Sequence, residues 1–242
     1  MNLLVLNPNT SEAMTEDIRR TVERVRSAET SVTVTAPDFG PEALESFYDY
    51  TLSGFGICRL LEKEKDSYDG ILIACYGDPG LYAAKELCSC PVLGIAETSM
   101  AMSLLMGSRF SILTASEKAV PMMENMVFQY GLQDRLAGIF SINMSVIDAE
   151  SDQNKTVQRL IETGKKAVSK GAEVLILGCA GMTGFGGPVG RALGVPVVDP
   201  VESAFLTLEM MCKGGLNTSK KGLYKTPDKK KIKNERLLTE KL

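Results

Sequence analysis

The chain is predicted to be an α/β protein: two pseudo-symmetric parallel-sheet lobes from a duplicated unit, with the active site in the cleft between them. Three observations predict this. Short β-rich apolar runs alternate with amphipathic stretches of helical length, as parallel strands joined by crossover helices require. The series starts again near residue 110. Landmarks of the first half then return in the second at a separation of roughly 105 residues.

Taken in order, residues 3–6 form a buried strand, and Asn7-Pro8-Asn9-Thr10-Ser11 a turn ending in helix N-caps. Residues 12–25 form a helix, with Met14, Ile18, Val22 and Val25 on one face. Residues 31–35 alternate as a strand. After a loop over 37–41, residues 42–65 are expected to be helical, with Gly54 and Gly56 as weak points. Residues 70–74 form a central strand, 81–87 a helix, 91–95 a strand and 97–106 a helix. In the second half, strands are expected at 110–113, 138–142, 173–177 and 196–198, and helices at 117–130, 154–170 and 201–212.

The repeat is visible in the residues. Ile71-Leu72-Ile73-Ala74-Cys75-Tyr76-Gly77 parallels Leu175-Ile176-Leu177-Gly178-Cys179-Ala180-Gly181. Pro91-Val92-Leu93-Gly94 parallels Pro196-Val197-Val198-Asp199, and the turn after the first strand parallels the one at Thr114. The lobes are expected to comprise residues 1–96 with 200–242, and 97–199.

Length and composition bound what such a chain can be. At 242 residues and 44% apolar, it can bury one large or two small cores. Charged residues at 24% and a mean hydropathy near zero describe a globular chain. The longest apolar runs are too short to span a bilayer. Met1-Asn2-Leu3-Leu4-Val5-Leu6-Asn7 has neither a basic segment nor a cleavage site, so the expected location is cytoplasmic. Residues 219–242 hold nine Lys/Arg against three Asp/Glu. With no aromatic interleaving and no nucleic-acid module, this tail is expected to be a solvated extension.

There is no histidine. That removes Ser-His-Asp and Cys-His nucleophiles, histidine-based metal sites and imidazole as general base. Chemistry near neutral pH then falls to shifted carboxylates or lysines, oxygen- or sulfur-held metals, or thiols, whose ordinary pKa is about 8.5. Of the six cysteines, Cys88-Ser89-Cys90 lacks the second pair a zinc site needs. Cys58, Cys88, Cys90 and Cys212 share no repeated context, and burial as small hydrophobes accounts for them.

Cys75 and Cys179 are different. A single cysteine at a strand end is ordinarily a small buried hydrophobe, but two at equivalent positions of a repeat, each followed by glycine two residues on, point to function. In open α/β sheets ligands bind beyond the carboxyl ends of the strands. Two thiols facing one another there suit two-base proton transfer at a carbon acid. One thiolate removes a proton α to a carbonyl and the opposite thiol returns one to the other face. Helix N-termini and the backbone amides of Tyr76-Gly77 and Ala180-Gly181 would stabilise the thiolate and the enolate oxygen.

Smaller signals carry less. Asp78 is expected to cap the following helix rather than tune Cys75. The stretch Gly184-Phe185-Gly186-Gly187-Pro188-Val189-Gly190 lacks the spacing of a phosphate loop and does not directly open a helix after a strand. The twelve methionines are expected mostly to fill core on helices.

With Asn7-Pro8-Asn9-Thr10-Ser11, Cys75-Tyr76-Gly77-Asp78-Pro79-Gly80, Gly178-Cys179-Ala180-Gly181-Met182 and the paired Pro-Val segments in place, the chain resembles the hydantoin racemase branch of the aspartate/glutamate racemase superfamily, which includes allantoin racemases. The resemblance runs from Leu3 to about Pro227, including Thr218-Ser219-Lys220-Lys221-Gly222 and Tyr224. It implies Cys75 and Cys179 as catalytic acid and base. Asn9, Thr114 and the backbone at Tyr76, Gly77, Ala180 and Gly181 would hold the substrate's polar ring, and Phe39-Gly40-Pro41 would help close the pocket. It also implies a small-molecule substrate (a cyclic ureide), no cofactor, no metal, no nucleic acid, no membrane and a homo-oligomer. The helix at 97–106 would pack on the second lobe and that at 201–212 on the first. The alternatives are an amino-acid racemase, a small-diacid decarboxylase or isomerase of the same superfamily, and a non-catalytic small-molecule binder. No Arg or Lys stands among the candidate positions, which favours a neutral ring.

Overall fold

The computed structural model describes residues 1–144 and 152–233, so residues 234–242 of the basic tail lie outside the described part. Its elements are β1 (Asn2–Leu6), α1 (Glu12–Val25), β2 (Ser31–Thr35), α2 (Phe47–Glu64), β3 (Gly70–Ile73), α3 (Leu81–Leu87), β4 (Val92–Gly94) and α4 (Ile95–Ser103). There follow β5 (Phe110–Thr114), α5 (Ala119–Gln129), β6 (Leu136–Ser141), α6 (Gln153–Ser169), β7 (Val174–Leu177), α7 (Gly186–Leu193), β8 (Val197–Val198) and α8 (Pro200–Lys213). Met1–Gly94 and the segment from Phe205 onward make one compact unit, and Ile95–Ala204 another.

The first unit is a sheet in the order β2-β1-β3-β4 with every pair parallel. β1 and β3 are central and covered on both faces, which explains why Leu3-Leu4-Val5-Leu6 and Ile71-Leu72-Ile73 are unbroken apolar runs. Leu4, Leu6, Ile71 and Ile73 pack with Ile57 and Leu61 of α2 and with Leu81 and Ala84 of α3. α1 buries Met14, Ile18 and Val22, and Ser11 caps it by accepting from the Met14 amide at 3.2 Å.

The second unit repeats the order as β6-β5-β7-β8, again all parallel. Leu113, Leu175 and Leu177 pack with Leu160 and Ala167 of α6 and Val189 of α7. α4 lies against β7 and β8. Matching hydrogen bonds support duplication: Ile71 N–H donates to the Pro91 carbonyl, and Leu175 N–H to that of Pro196, both at 3.0 Å.

Several expected boundaries move, for physical reasons. The helix expected over 42–65 starts at Phe47, because Ser46 accepts from the Asp49 amide at 3.1 Å and caps it there. Gly54 and Gly56 are not weak points. A Cβ at Gly56 would overlap the Phe39 carbonyl oxygen, and one at Gly54 would lie 3.5 Å from the Gly80 backbone, so both let other chain segments approach α2. β6 begins at Leu136 rather than 138, since a bulge after the Phe110–Leu136 pair precedes Gly138. α4 follows β4 with no intervening residue, where 96 was expected to separate them. α7 was not anticipated: its glycines and Pro188 hide the helix, which Gly194 ends in the left-handed region at φ 69°. Among the described residues no helix is long and apolar enough to cross a membrane.

Candidate active site

Each central strand ends in the same device. In the first unit the Ala74 amide donates to the Leu6 carbonyl at 2.8 Å, continuing the pairing of β3 with β1. The chain then turns, the Asp78 amide donating to the Cys75 carbonyl at 3.0 Å. In the second unit Gly178 donates to Leu113 at 2.7 Å, and Met182 to Cys179 at 3.1 Å. Both cysteines are half-buried at the first corner of an equivalent turn.

The sequence suggests helix N-termini beside the sulfurs, but the structure puts turns there. α3 begins only at Leu81, and a 3-10 turn over Ala180–Met182 separates Cys179 from α7. Turn amides therefore replace the helix terminus as the local source of positive potential. No hydrogen bond among the described residues takes up the amides of Gly77, Ala180 and Gly181. Tyr76 and Ala180 are buried, so what they offer a ligand is backbone.

Asn9 lies in the turn after β1 and Thr114 closes β5, one in each unit. Asn9 is buried, and its Oδ1 accepts from Asn7 Nδ2 at 2.7 Å and from the Ser11 amide at 2.9 Å. Its Nδ2 points to Met14 Sδ at 3.1 Å. Asn9 thus shapes the turn that leads into α1. Ser53 on α2 donates to the Pro8 carbonyl at 2.6 Å, and the Thr10 amide donates to that of Pro41 at 3.1 Å. Those bonds draw the 37–41 loop onto the same turn. Thr114 is buried at the end of β5, and its carbonyl accepts from Ile142 at 2.8 Å.

Three residues around the cysteine turns have roles the sequence reading did not assign. Tyr50 of α2 lays its ring where a Gly77 Cβ would stand, so Gly77 is required by the protein's own packing. Asp78 does not cap α3 with its side chain: the N-cap is Gly80, with no side-chain bond. Asp78 is instead buried at φ 43°, its carboxylate against Gly94 at the end of β4 where a Cβ would overlap it. In the second unit Asp199 stands at the position of Gly94. Its carboxylate accepts from Thr183 Oγ1 at 3.0 Å and from the Gly184 amide at 2.6 Å, in the segment just after the Cys179 turn. It also accepts from the Val201 and Glu202 amides at 3.1 and 3.2 Å, capping α8. The signal was present: Asp199-Pro200-Val201-Glu202 is a capping pattern with proline at the first helical position.

Known proteins match the chain along nearly its whole length. The family model for Asp/Glu/Hydantoin racemase matches residues 3–208. A hydantoin racemase of Pseudomonas sp. (strain NS671) is 39% identical over 232 residues, covering 95% of this chain and 93% of that protein. Allantoin racemase from Klebsiella pneumoniae aligns with a TM-score of 0.92 at 33% identity over 99% of both chains. Allantoin racemase from Pseudomonas fluorescens gives 0.93 at 31% identity, over 97% of this chain and 100% of that one. Duplicated sheets, equivalent cysteine turns and similarity along nearly the whole chain lead to one conclusion: the protein belongs to the Asp/Glu/hydantoin racemase family of isomerases.

Proposed function

We propose that the chain is a cofactor-independent racemase that inverts C5 of a 5-substituted hydantoin or of allantoin, with Cys75 and Cys179 as its acid and base. The equivalence of the two cysteine turns carries the reading. A proton leaves one face of C5 and another arrives on the opposite face, so two like groups in like settings suit a reaction that runs both ways. One thiolate takes the C5 proton, the electron pair moves into the adjacent carbonyl, and the other thiol protonates the opposite face. Amides of Gly77, Ala180 and Gly181 are suited to meet the enolate oxygen or the ring carbonyls. The uncharged candidate positions fit a neutral ring better than a free amino acid.

Proton NMR in D₂O tests this with enantiopure hydantoins and allantoin under reducing conditions. Enzyme-dependent loss of the C5 proton should accompany loss of optical activity. Cys75→Ser and Cys179→Ser should each lower racemisation by about a thousandfold or more. Racemisation that persists in either variant, or no exchange across the panel, overturns the proposal.

A further inference from the structure

A second group of thiols lies at the other end of the first sheet. Asp69 precedes β3 and Cys75 follows it, so the two ends of that strand are about 20 Å apart. At the Asp69 end a cavity of about 440 Å³ is lined by Met1, Asp69, Cys90, Cys212, Lys213 and Asn217, among others. Cys90 opens on this cavity, and Cys88 lies behind it, fully buried in the core of α2, α3 and the sheet. The two thiols influence each other's protonation. The chain bends at Ser89 and Cys90, and two residues two positions apart stand at most roughly 7 Å from Cα to Cα. A disulfide needs about 4.4–6.8 Å.

We propose that Cys88 and Cys90 are a modification site, a dithiol that reacts with hydroperoxides entering this cavity and closes to an intrachain disulfide. Cys90 attacks as the thiolate. Its sulfur bonds to one peroxide oxygen, the O–O bond breaks, and hydroxide leaves Cys90 as a sulfenic acid. Cys88 sulfur then bonds to Cys90 sulfur and the S–O bond breaks. The departing oxygen leaves as water, taking the Cys88 proton. In sum two thiols and one hydrogen peroxide give one disulfide and two waters, the sulfurs supplying both electrons.

The surroundings divide the roles. The neighbouring Cys88 thiol lowers the Cys90 pKa against the opposing effect of burial, and Lys220 adds to the lowering. Lys220 Nζ is itself anchored, donating to the Lys85 carbonyl and, at 3.2 Å, to that of Glu86. Cys88 is held protonated by Cys90 and by burial. Once Cys90 is oxidised it is no longer an anion, and that restraint on Cys88 ends. Cys212 is set apart. Burial first, then Cys90 and Asp69, push its pKa up to about 11, and its thiol donates to the Asp69 carbonyl at 3.4 Å.

Peptide mass mapping of the full chain tests this without reference to turnover. After hydrogen peroxide at neutral pH, alkylation and tryptic cleavage, residues 86–109 form one peptide carrying both cysteines. The expected product is that peptide unalkylated and two hydrogens lighter, with both alkylation sites regained after dithiothreitol. Cys212→Ser should leave the product unchanged. Cys88→Ser should stop at a Cys90 sulfenic acid that dimedone captures. Two alkylated cysteines at peroxide doses that oxidise Cys75 or Cys179, a Cys90 sulfinic acid with Cys88 alkylated, or a cross-link to the Cys212 peptide would each overturn it.

Discussion

The two units fill the same volume, between the cysteine turn and the end of the fourth strand, with a carboxylate from opposite sides. In the first, Asp78 belongs to the turn and lies against Gly94 of β4. In the second, Asp199 follows β8 and reaches the turn's continuation at Thr183 and Gly184. The missing side chain of Gly94 makes room for the Asp78 carboxylate, whereas that of Asp199 is taken up by the Thr183 hydroxyl and the Gly184 amide. A duplicated backbone can therefore keep its hydrogen-bond frame while the residues that support it change places. The volume and the charge were retained while the position of the aspartate was not.

The largest effect should come from the second unit, where the carboxylate has most to hold. Asp199→Ala removes a helix cap and strips the Gly184 amide and Thr183 hydroxyl of their partner. A loss of about 3 kcal/mol is expected from these parts together. Urea unfolding should report it, and hydrogen exchange should quicken at Gly184 and Val201. Unchanged exchange at Gly184 would mean that Asp199 serves only as the cap of α8.

Gly94→Ala addresses the first unit. Its Cβ would overlap the Asp78 carboxylate, so about 2 kcal/mol should be lost as the buried group is displaced. Adding Asp78→Gly should return part of that, since glycine also accepts the left-handed backbone at φ 43°. The pair Asp78→Gly with Gly94→Asp would copy the second unit's arrangement into the first. If it is no more stable than Gly94→Ala alone, the two carboxylates are not interchangeable.

The comparison continues along α8, capped in the second unit by Asp199 and anchored in the first by Glu209. Burial alone would raise the Glu209 pKa, but hydrogen bonds from Thr30 and from the Ser27 amide (3.1 Å) and hydroxyl (3.0 Å), with Lys213, bring it below the usual value. A lowered folded-state pKa gives stability that is full above the unfolded value of about 4.3 and lost as pH falls through the folded one. Glu209→Gln should cost about 1.5 kcal/mol at pH 7 and much less near pH 3. Parallel urea titrations at the two pH values check the sign. A constant difference would remove the carboxylate's charge from the account.

How far the sequence could be read follows the same divide. Backbone regularities were legible: the helix at 12–25, the strand at 31–35 and the helix at 81–87 match the structure at both ends. Apolar periodicity and caps specify such elements locally. The places of Cys75 and Cys179 just past the central strands were legible because the repeat displayed them twice, while the turns that hold them were not. The supporting residues were not, because long-range packing decides them. Nothing near Gly77 announces Tyr50, and nothing near Asp78 says that its carboxylate will turn from α3 to Gly94. α7 was hidden for a local reason, since its Gly and Pro content argues against the helix that packing of Val189 stabilises.

The smallest difference concerns the turns after the first strand of each unit. α1 begins at a true cap, Ser11, whose hydroxyl accepts from the Met14 amide. α5, its counterpart, begins at Lys118, which offers no side-chain bond. Ser11→Ala should therefore cost about 1 kcal/mol, while Lys118→Ala should stay within about 0.5 kcal/mol of the parent. Because Ser11 also donates its amide to Asn9 Oδ1, the substitution keeps the Asn7–Asn9 network and isolates the cap. Equal losses at the two positions would mean that the turn, rather than the cap, fixes where each helix starts.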